Sequence, residues 1–369
     1  MKRKTQLILS EWILMIIAWA AIVNFYSWII ISNMNIYFDM KLISSSSSNS
    51  VLLEYIVSGM QYLEGAMFGV IFGTLFTVIN IFTDHSDFRK YSYGKIVVLK
   101  SILYILSVIV TSVIIYILFK ILKTIPEDLS LGLLWDNVKA DYFVSGIVYI
   151  TFFIILTNFI LQISKKFGPE TILNLFTGKY HKPKGEERIF MFLDMKSSTA
   201  IAEKLGHEKY SQFIRNCYHD LTNIVLTYNA EIYQYVGDEV VLCWPSKKGL
   251  RKLNCLNAFF AYEKELNRKG KYYLKEFGEV PKFKAGMDMG QVTVTEIGDI
   301  KRDIAYHGDV LNTASRIQEN CNKFNQKLLI SENIEKQLDS LNGFSKKLIG
   351  EINLRGKEQI VKIYGINSN

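Results

Sequence analysis

Asp194 ends the apolar run Arg188-Ile-Phe-Met-Phe-Leu-Asp194, Asp238 stands in Tyr235-Val-Gly-Asp238-Glu, and Asn312 and Arg316 share the segment Val310-Leu-Asn312-Thr-Ala-Ser-Arg316. Two carboxylates held at strand ends can bind a pair of divalent cations, while an amide and a guanidinium one helical turn apart can grip sugar and phosphate from the other side. Together these groups point to phosphoryl chemistry on a nucleotide. A single aspartate after a strand ordinarily caps the next helix. The second carboxylate changes that reading, because two unpaired carboxylates at close range raise each other's pKa and are costly unless cations bridge them. Magnesium prefers such oxygen ligands together with substrate phosphates. A solvated helix face is the default for Asn312 and Arg316, yet planar guanidinium is the group best matched to a phosphoryl oxyanion.

The elements that must hold these groups follow from hydrophobic periodicity. Residues 188–193 read as a buried strand, 208–228 as a helix, and 231–235 with 240–244 as a hairpin around Val236-Gly-Asp238-Glu. A helix over 250–268, strands over 283–289 and 292–297, a helix over 310–323, a strand over 327–330 and a terminal antiparallel pair including 360–366 complete the pattern. The order βαββαβ with extra strands predicts an α+β, ferredoxin-like antiparallel sheet covered by helices on one face.

The rest of the 369-residue chain has a different character. Residues 7–31, 65–82, 101–119 and 142–163 are each apolar and long enough to cross a hydrocarbon core, which takes roughly 20 helical residues. This predicts an α-helical four-span bundle over 1–163, a linker with a short helix near 171–176 over 164–187, and the sheet domain over 188–369. The first span is expected to be a retained anchor and not a secretory signal, being too long and lacking a small-residue cleavage site. Lys2, Arg3 and Lys4 precede it, Arg89, Lys90 and Lys95 separate the second and third spans, and Lys165 and Lys166 follow the fourth, against single lysines, Lys41 and Lys139, in the other loops. The positive-inside rule then puts both termini and the sheet domain in the cytoplasm of a multi-pass plasma (inner) membrane protein. Gly65, Gly69 and Gly73 form a tandem GxxxG, read as packing within the bundle, with a dimer seam as the alternative. Glu54 and Glu64 are read as interfacial or bundle-interior residues, with a ligand or proton site as the alternative.

The net charge of +8 is explained in good part by lysines flanking the spans, and no aromatic-basic pattern for nucleic acid accompanies it. Cys217, Cys243, Cys255 and Cys321 show no CxxC spacing and no companion histidines, so neither zinc nor a disulfide framework is indicated.

Leu193-Asp194-Met-Lys-Ser-Ser-Thr199, Val236-Gly-Asp238-Glu and Gly308-Asp-Val-Leu-Asn312-Thr-Ala-Ser-Arg316, in that order, resemble the class III nucleotidyl cyclase catalytic domain, the adenylate/guanylate cyclase family. The resemblance runs over about residues 186–369. It implies that Asp194 and Asp238 bind two Mg²⁺ or Mn²⁺, and that Asn312 and Arg316 act in the transition state at the partner subunit's metals, so that a head-to-tail homodimer holds two composite sites. It also implies a triphosphate contact for Lys357, with Lys301 and Arg302 assisting. Gln234 and Ala305 fall where the family selects its base and match neither the adenine nor the guanine pattern, and Ser197 stands where a glycine is usual. The expected substrate is a nucleoside triphosphate, ATP first. The alternatives are a guanylate or pyrimidine-nucleotide cyclase and a catalytically silent nucleotide-binding membrane receptor.

Overall fold

The computed structural model describes residues 2–39, 58–83, 93–122, 140–167, 177–300, 302–338, 341, 343–353 and 360–369. Contacts divide the chain into two units, one built from four long helices and one from a sheet with its covering helices. The linker helix expected over 171–176 lies outside the described residues.

The helical unit comprises α1 (Lys2–Asp39), α2 (Met60–Thr83), α3 (Tyr93–Ile121) and α4 (Ala140–Phe167). Among the described residues, four helical stretches are long and apolar enough to cross a membrane: Ile8–Ser32, Met60–Thr83, Gly94–Ile121 and Val144–Gln162. Their centre is a cluster of Trp19, Phe68, Phe72, Phe76 and Tyr104, with the Trp19 and Phe72 ring centroids 4.6 Å apart and those of Phe76 and Tyr104 4.1 Å apart. The glycine stripe of α2 faces α1 of the same chain. A methyl group on Gly69 would lie 2.6 Å from the backbone nitrogen of Ala20, and one on Gly73 would lie 2.9 Å from the Cα of Ile16. Small residues let the two backbones meet there, as the intrachain reading of the motif expects.

The second unit comprises β1 (Lys184–Met195), α5 (Ser198–Leu205), α6 (His207–Thr227), β2 (Glu231–Val236), β3 (Glu239–Pro245), α7 (Ser246–Leu250), α8 (Asn254–Arg268), α9 (Gly270–Phe277), β4 (Phe283–Ile297), β5 (Asp303–His307), α10 (Asp309–Glu319), β6 (Leu328–Ser331), α11 (Glu332–Glu335), β7 (Phe344–Asn353) and β8 (Ile360–Ser368). The strands run β2-β3-β1-β4-β6-β8-β7, with β5 paired to β4. The first four make the antiparallel order that βαββαβ predicts.

Three features depart from the sequence-based expectation. Helices cover both faces of the sheet. Ile189, Met191 and Leu193 of β1 pack with Phe213, Leu221, Phe259 and Tyr262 from α6 and α8, whereas Phe190 and Phe192 pack with Val310 and Ala314 of α10 on the other face. The unbroken apolar run of β1 is the trace of this double burial, since a strand alternates its side chains between faces. The sheet is mixed, because β4 and β6 pair in parallel. Residues 283–297 form one strand and not two.

Where α10 crosses the sheet, Gly286 of β4 has no side chain to hold it off. A methyl group at that position would lie 2.1 Å from the backbone nitrogen of Gln318 and 2.5 Å from the carbonyl oxygen of Ala314. Helix backbone therefore rests directly on strand backbone, which sets how far the side chains of α10 reach toward β1.

Candidate active site

Asp194 sits near the end of β1, opposite Glu239 of β3 on one side and Lys284 of β4 on the other. Asp238 occupies the turn between β2 and β3, which closes through Gly237 at φ 59°. A left-handed residue is what a two-residue hairpin turn demands, and glycine adopts it without a Cβ clash. The two aspartates predicted from the sequence are thus brought to the same end of neighbouring strands, Asp194 standing opposite Glu239, the residue that follows Asp238. Lys284 Nζ lies 3.2 Å from Asp194 Oδ2, and Gln318 Nε2 donates to the same oxygen at 2.8 Å. Both contacts fall on Oδ2, and among the described residues none is recorded on Oδ1.

Electrostatics match this crowding. Burial holds the Asp194 carboxyl above its ordinary pKa, an effect that Lys284 opposes and Asp238 adds to. Glu239 is pushed up to about 7, first by burial and then by Asp194, Asp238 and Glu319. The Tyr210 phenol is pushed up to about 12 by burial and by Asp238 and Asp194. Several acidic groups share a restricted volume in which negative charge is disfavoured and a cation is welcome. Among the described residues no three His, Cys, Asp or Glu side chains gather closely enough to ligate a metal. A donor set of two carboxylates suits an ion that keeps waters and takes substrate phosphates, as magnesium does, and does not suit a closed all-protein cage.

Asn312 and Arg316 lie on α10, whose buried face is Val310, Thr313, Ala314, Ile317 and Gln318. Gln318 meets Asp194 from that face. At 3.6 residues per turn Arg316 points about 160° and Asn312 about 120° away from Gln318 around the helix axis. Asn312 is exposed and Arg316 half-buried. Among the described residues the Arg316 guanidinium has no recorded hydrogen bond or ion pair. The structure therefore brings Asp194 and Asp238 together and turns Asn312 and Arg316 away from the chain's own Asp194.

Gln234 is exposed on β2 beside the irregularity between Ile232 and Gln234, and Ala305 is buried on β5 opposite Thr295. Their neighbours Tyr233 and Tyr306 pack edge to face with centroids 4.9 Å apart. Arg302 is exposed and lies 3.5 Å from Glu296. Lys301 and Lys357 lie outside the described residues. Ser197 stands at φ 58° just ahead of α5, in the left-handed region that glycine enters freely, with no cap bond from its side chain.

Gln318, Lys284 and Glu239 were not anticipated from the sequence. Lys284 left a signal: a lysine inside the otherwise apolar strand stretch Phe283–Met289 must find a partner if it is buried. Gln318 left only its place on the inner face of an amphipathic helix.

Residues 181–368 match the family model described as the adenylate and guanylate cyclase catalytic domain. Over 210 residues the chain is 30% identical to adenylate cyclase 2 of Rhizobium meliloti (strain 1021), covering 57% of this chain and 58% of that protein. It is 22% identical over 185 residues to an adenylate cyclase of Anabaena cylindrica, covering 48% of this chain and 36% of that one. It thus spans little more than half the length of the first relative. In fold it is similar to a bacterial light-regulated adenylyl cyclase, with a TM-score of 0.52 at 18% identity over 63% of this chain and 66% of that one. The ordered motifs, the strand order that gathers Asp194 and Asp238, and the family match over half the chain's length lead to one conclusion: the chain belongs to the adenylate and guanylate cyclase catalytic domain family.

Proposed function

We propose that the protein is a membrane-anchored nucleotidyl cyclase that converts a nucleoside triphosphate, ATP before the others, into a 3′,5′-cyclic monophosphate and pyrophosphate for intracellular signalling. The observation that carries this reading is the juxtaposition of Asp194 and Asp238 at one end of the strands, with an Arg316 that has no ion pair among the described residues directed away from Asp194. Two Mg²⁺ or Mn²⁺ ions held by these aspartates would supply Lewis acidity to the attacking 3′-hydroxyl and to the triphosphate oxygens.

The chain's own groups do the positioning. Asn312 holds the ribose and Arg316 meets the charge that develops on the α-phosphoryl oxygens, a service worth roughly 10²- to 10³-fold in rate for one well-placed donor. Because both face away from their own Asp194, they serve the site of a second copy, and a head-to-tail homodimer has two such sites. Lys357 would meet the triphosphate, with Lys301 and Arg302 nearby. Gln234 and Ala305 leave the base open: an amide donates or accepts, and an alanine side chain does neither. The four apolar helices anchor the protein in the plasma (inner) membrane, and the loop lysines and arginines favour a cytoplasmic catalytic domain.

The test is a competition of ATP, GTP, CTP and UTP over the full-length protein with Mn²⁺, with products identified by mass. One cyclic 3′,5′-monophosphate plus pyrophosphate is expected, ATP giving most, and Asp194→Ala or Asp238→Ala should lower the rate by more than about 100-fold, the upper end of what losing a mere outer-shell partner of a metal ligand costs. A folded dimer that binds nucleotide and cyclises none of the four would establish the silent-receptor reading instead.

A further inference from the structure

Asp194 is held by a residue on the same helix that presents Asn312 and Arg316. Gln318 is buried, its Nε2 donates to Asp194 Oδ2 at 2.8 Å, and its backbone is pressed against β4 at Gly286, which pairs with Phe192 two residues before Asp194. A glutamine amide buried in this way has few conformations left, so with Lys284 on the same oxygen it helps fix which way the carboxylate turns. From these contacts we propose that Gln318 is a positioning residue. By holding Oδ2 together with Lys284 it aims Oδ1 of Asp194 at the divalent cation, and through the helix it ties that carboxylate to the Asn312–Arg316 face that serves the other site. This proposal rests on the cyclase reading above and assigns a role within that site.

The alternative is that Gln318 merely packs α10 onto the sheet. The two ideas differ in what they do to the metal. Losing a hydrogen-bonding partner of a metal-binding carboxylate typically weakens metal affinity 10- to 100-fold, whereas a packing defect lowers stability and leaves metal affinity alone. Gln318→Met keeps about the same side-chain length and removes the amide, and with it the donor that reaches Asp194 Oδ2.

Mn²⁺ binding to the full-length protein, measured without nucleotide by electron paramagnetic resonance, should be at least about 10-fold weaker in Gln318→Met than in the parent. The Mn²⁺ concentration for half-maximal cyclisation should rise by a similar factor, and the rate at saturating Mn²⁺ should fall much less. A mixed dimer of an Asp194→Ala chain and an Arg316→Ala chain then locates the effect. Gln318→Met on the Arg316→Ala chain, which carries the working Asp194, should shift the metal requirement; on the Asp194→Ala chain it should not. Equal shifts from either chain, or unchanged Mn²⁺ binding in a folded Gln318→Met protein, would overturn the positioning role. A parent protein that binds Mn²⁺ but cyclises nothing would sink the cyclase reading alone, with the nucleotide-free binding comparison still deciding the role of Gln318.

Discussion

In the helical unit large apolar side chains such as Ile17, Val98, Ile109, Phe152 and Phe159 are exposed, while Thr77, Asn80, Lys100, Thr111 and Asn158 are buried. The sheet unit does the opposite: Ile189, Leu193, Phe213, Trp244, Ala285 and Ile330 are inside, and Asn312 and most of its lysines are outside. Only some polar groups inside the helical unit satisfy one another: among the described residues Trp19 Nε1, Asn80 Nδ2 and Asn158 Oδ1 are buried with no hydrogen-bond partner. Lys100 Nζ and the Tyr104 hydroxyl both donate to Asn80 Oδ1 at 2.9 Å, and Trp12 Nε1 donates to Thr74 Oγ1 at 3.0 Å. The exposed apolar surface of the helical unit suits hydrocarbon and the polar surface of the sheet unit suits water. What differs is the force that closes the structure. Water drives the sheet unit's core together, whereas in the membrane-anchored reading proposed above apolar side chains facing hydrocarbon would gain nothing by turning inward, and the helices would associate through close packing and hydrogen bonds.

Both units bring backbones together at a glycine, which offers a matched pair of perturbations. Gly286→Ala should have the larger effect. Its methyl group meets strand-facing helix backbone on two sides, and α10 must lift from β4. Overpacking of this kind costs typically about 1–3 kcal/mol, and here it also withdraws Gln318 from Asp194, so both the unfolding temperature of the sheet unit and the cyclisation rate should fall. Unchanged stability and rate would mean that the close approach does not set the site. Gly69→Ala should have the smaller effect. The new methyl group would press on the Ala20 backbone and Cβ of α1, but on the membrane-anchored reading two helices in a bilayer would separate slightly at modest cost. The expected result is earlier loss of the helical unit's tryptophan fluorescence signal on heating, with the sheet unit's own transition unmoved. A shift of the sheet unit's transition instead would break the separation between the two units.

The two units were also unequally legible in the sequence. The spans were readable because length and continuous hydrophobicity are all that a membrane helix needs. The pairing of Asp194 with Asp238 was readable because a strand, a hairpin and a glycine turn fix each residue's position locally. The second layer of helix was not: α10 shows the same amphipathic period whichever face of the sheet it covers, and only the uninterrupted apolar run from Ile189 to Leu193 hinted that β1 was buried on both sides. Gln318 and Lys284 were invisible for a related reason. Their roles come from residues 124 and 90 positions away along the chain meeting at Asp194, and no local pattern records such a meeting. Base selection stayed unreadable because Gln234 and Ala305 carry side chains with no fixed preference.

The account turns on Asp194 and Arg316 serving the same reaction from different chains. The direct test mixes full-length Asp194→Ala and Arg316→Ala proteins, each inactive alone, and measures cyclic nucleotide formation with Mn²⁺. The account predicts recovery, because one of the two sites in the mixed dimer has both groups intact. Absence of any recovery, with mixed dimers shown to form and the parent protein active, would contradict it.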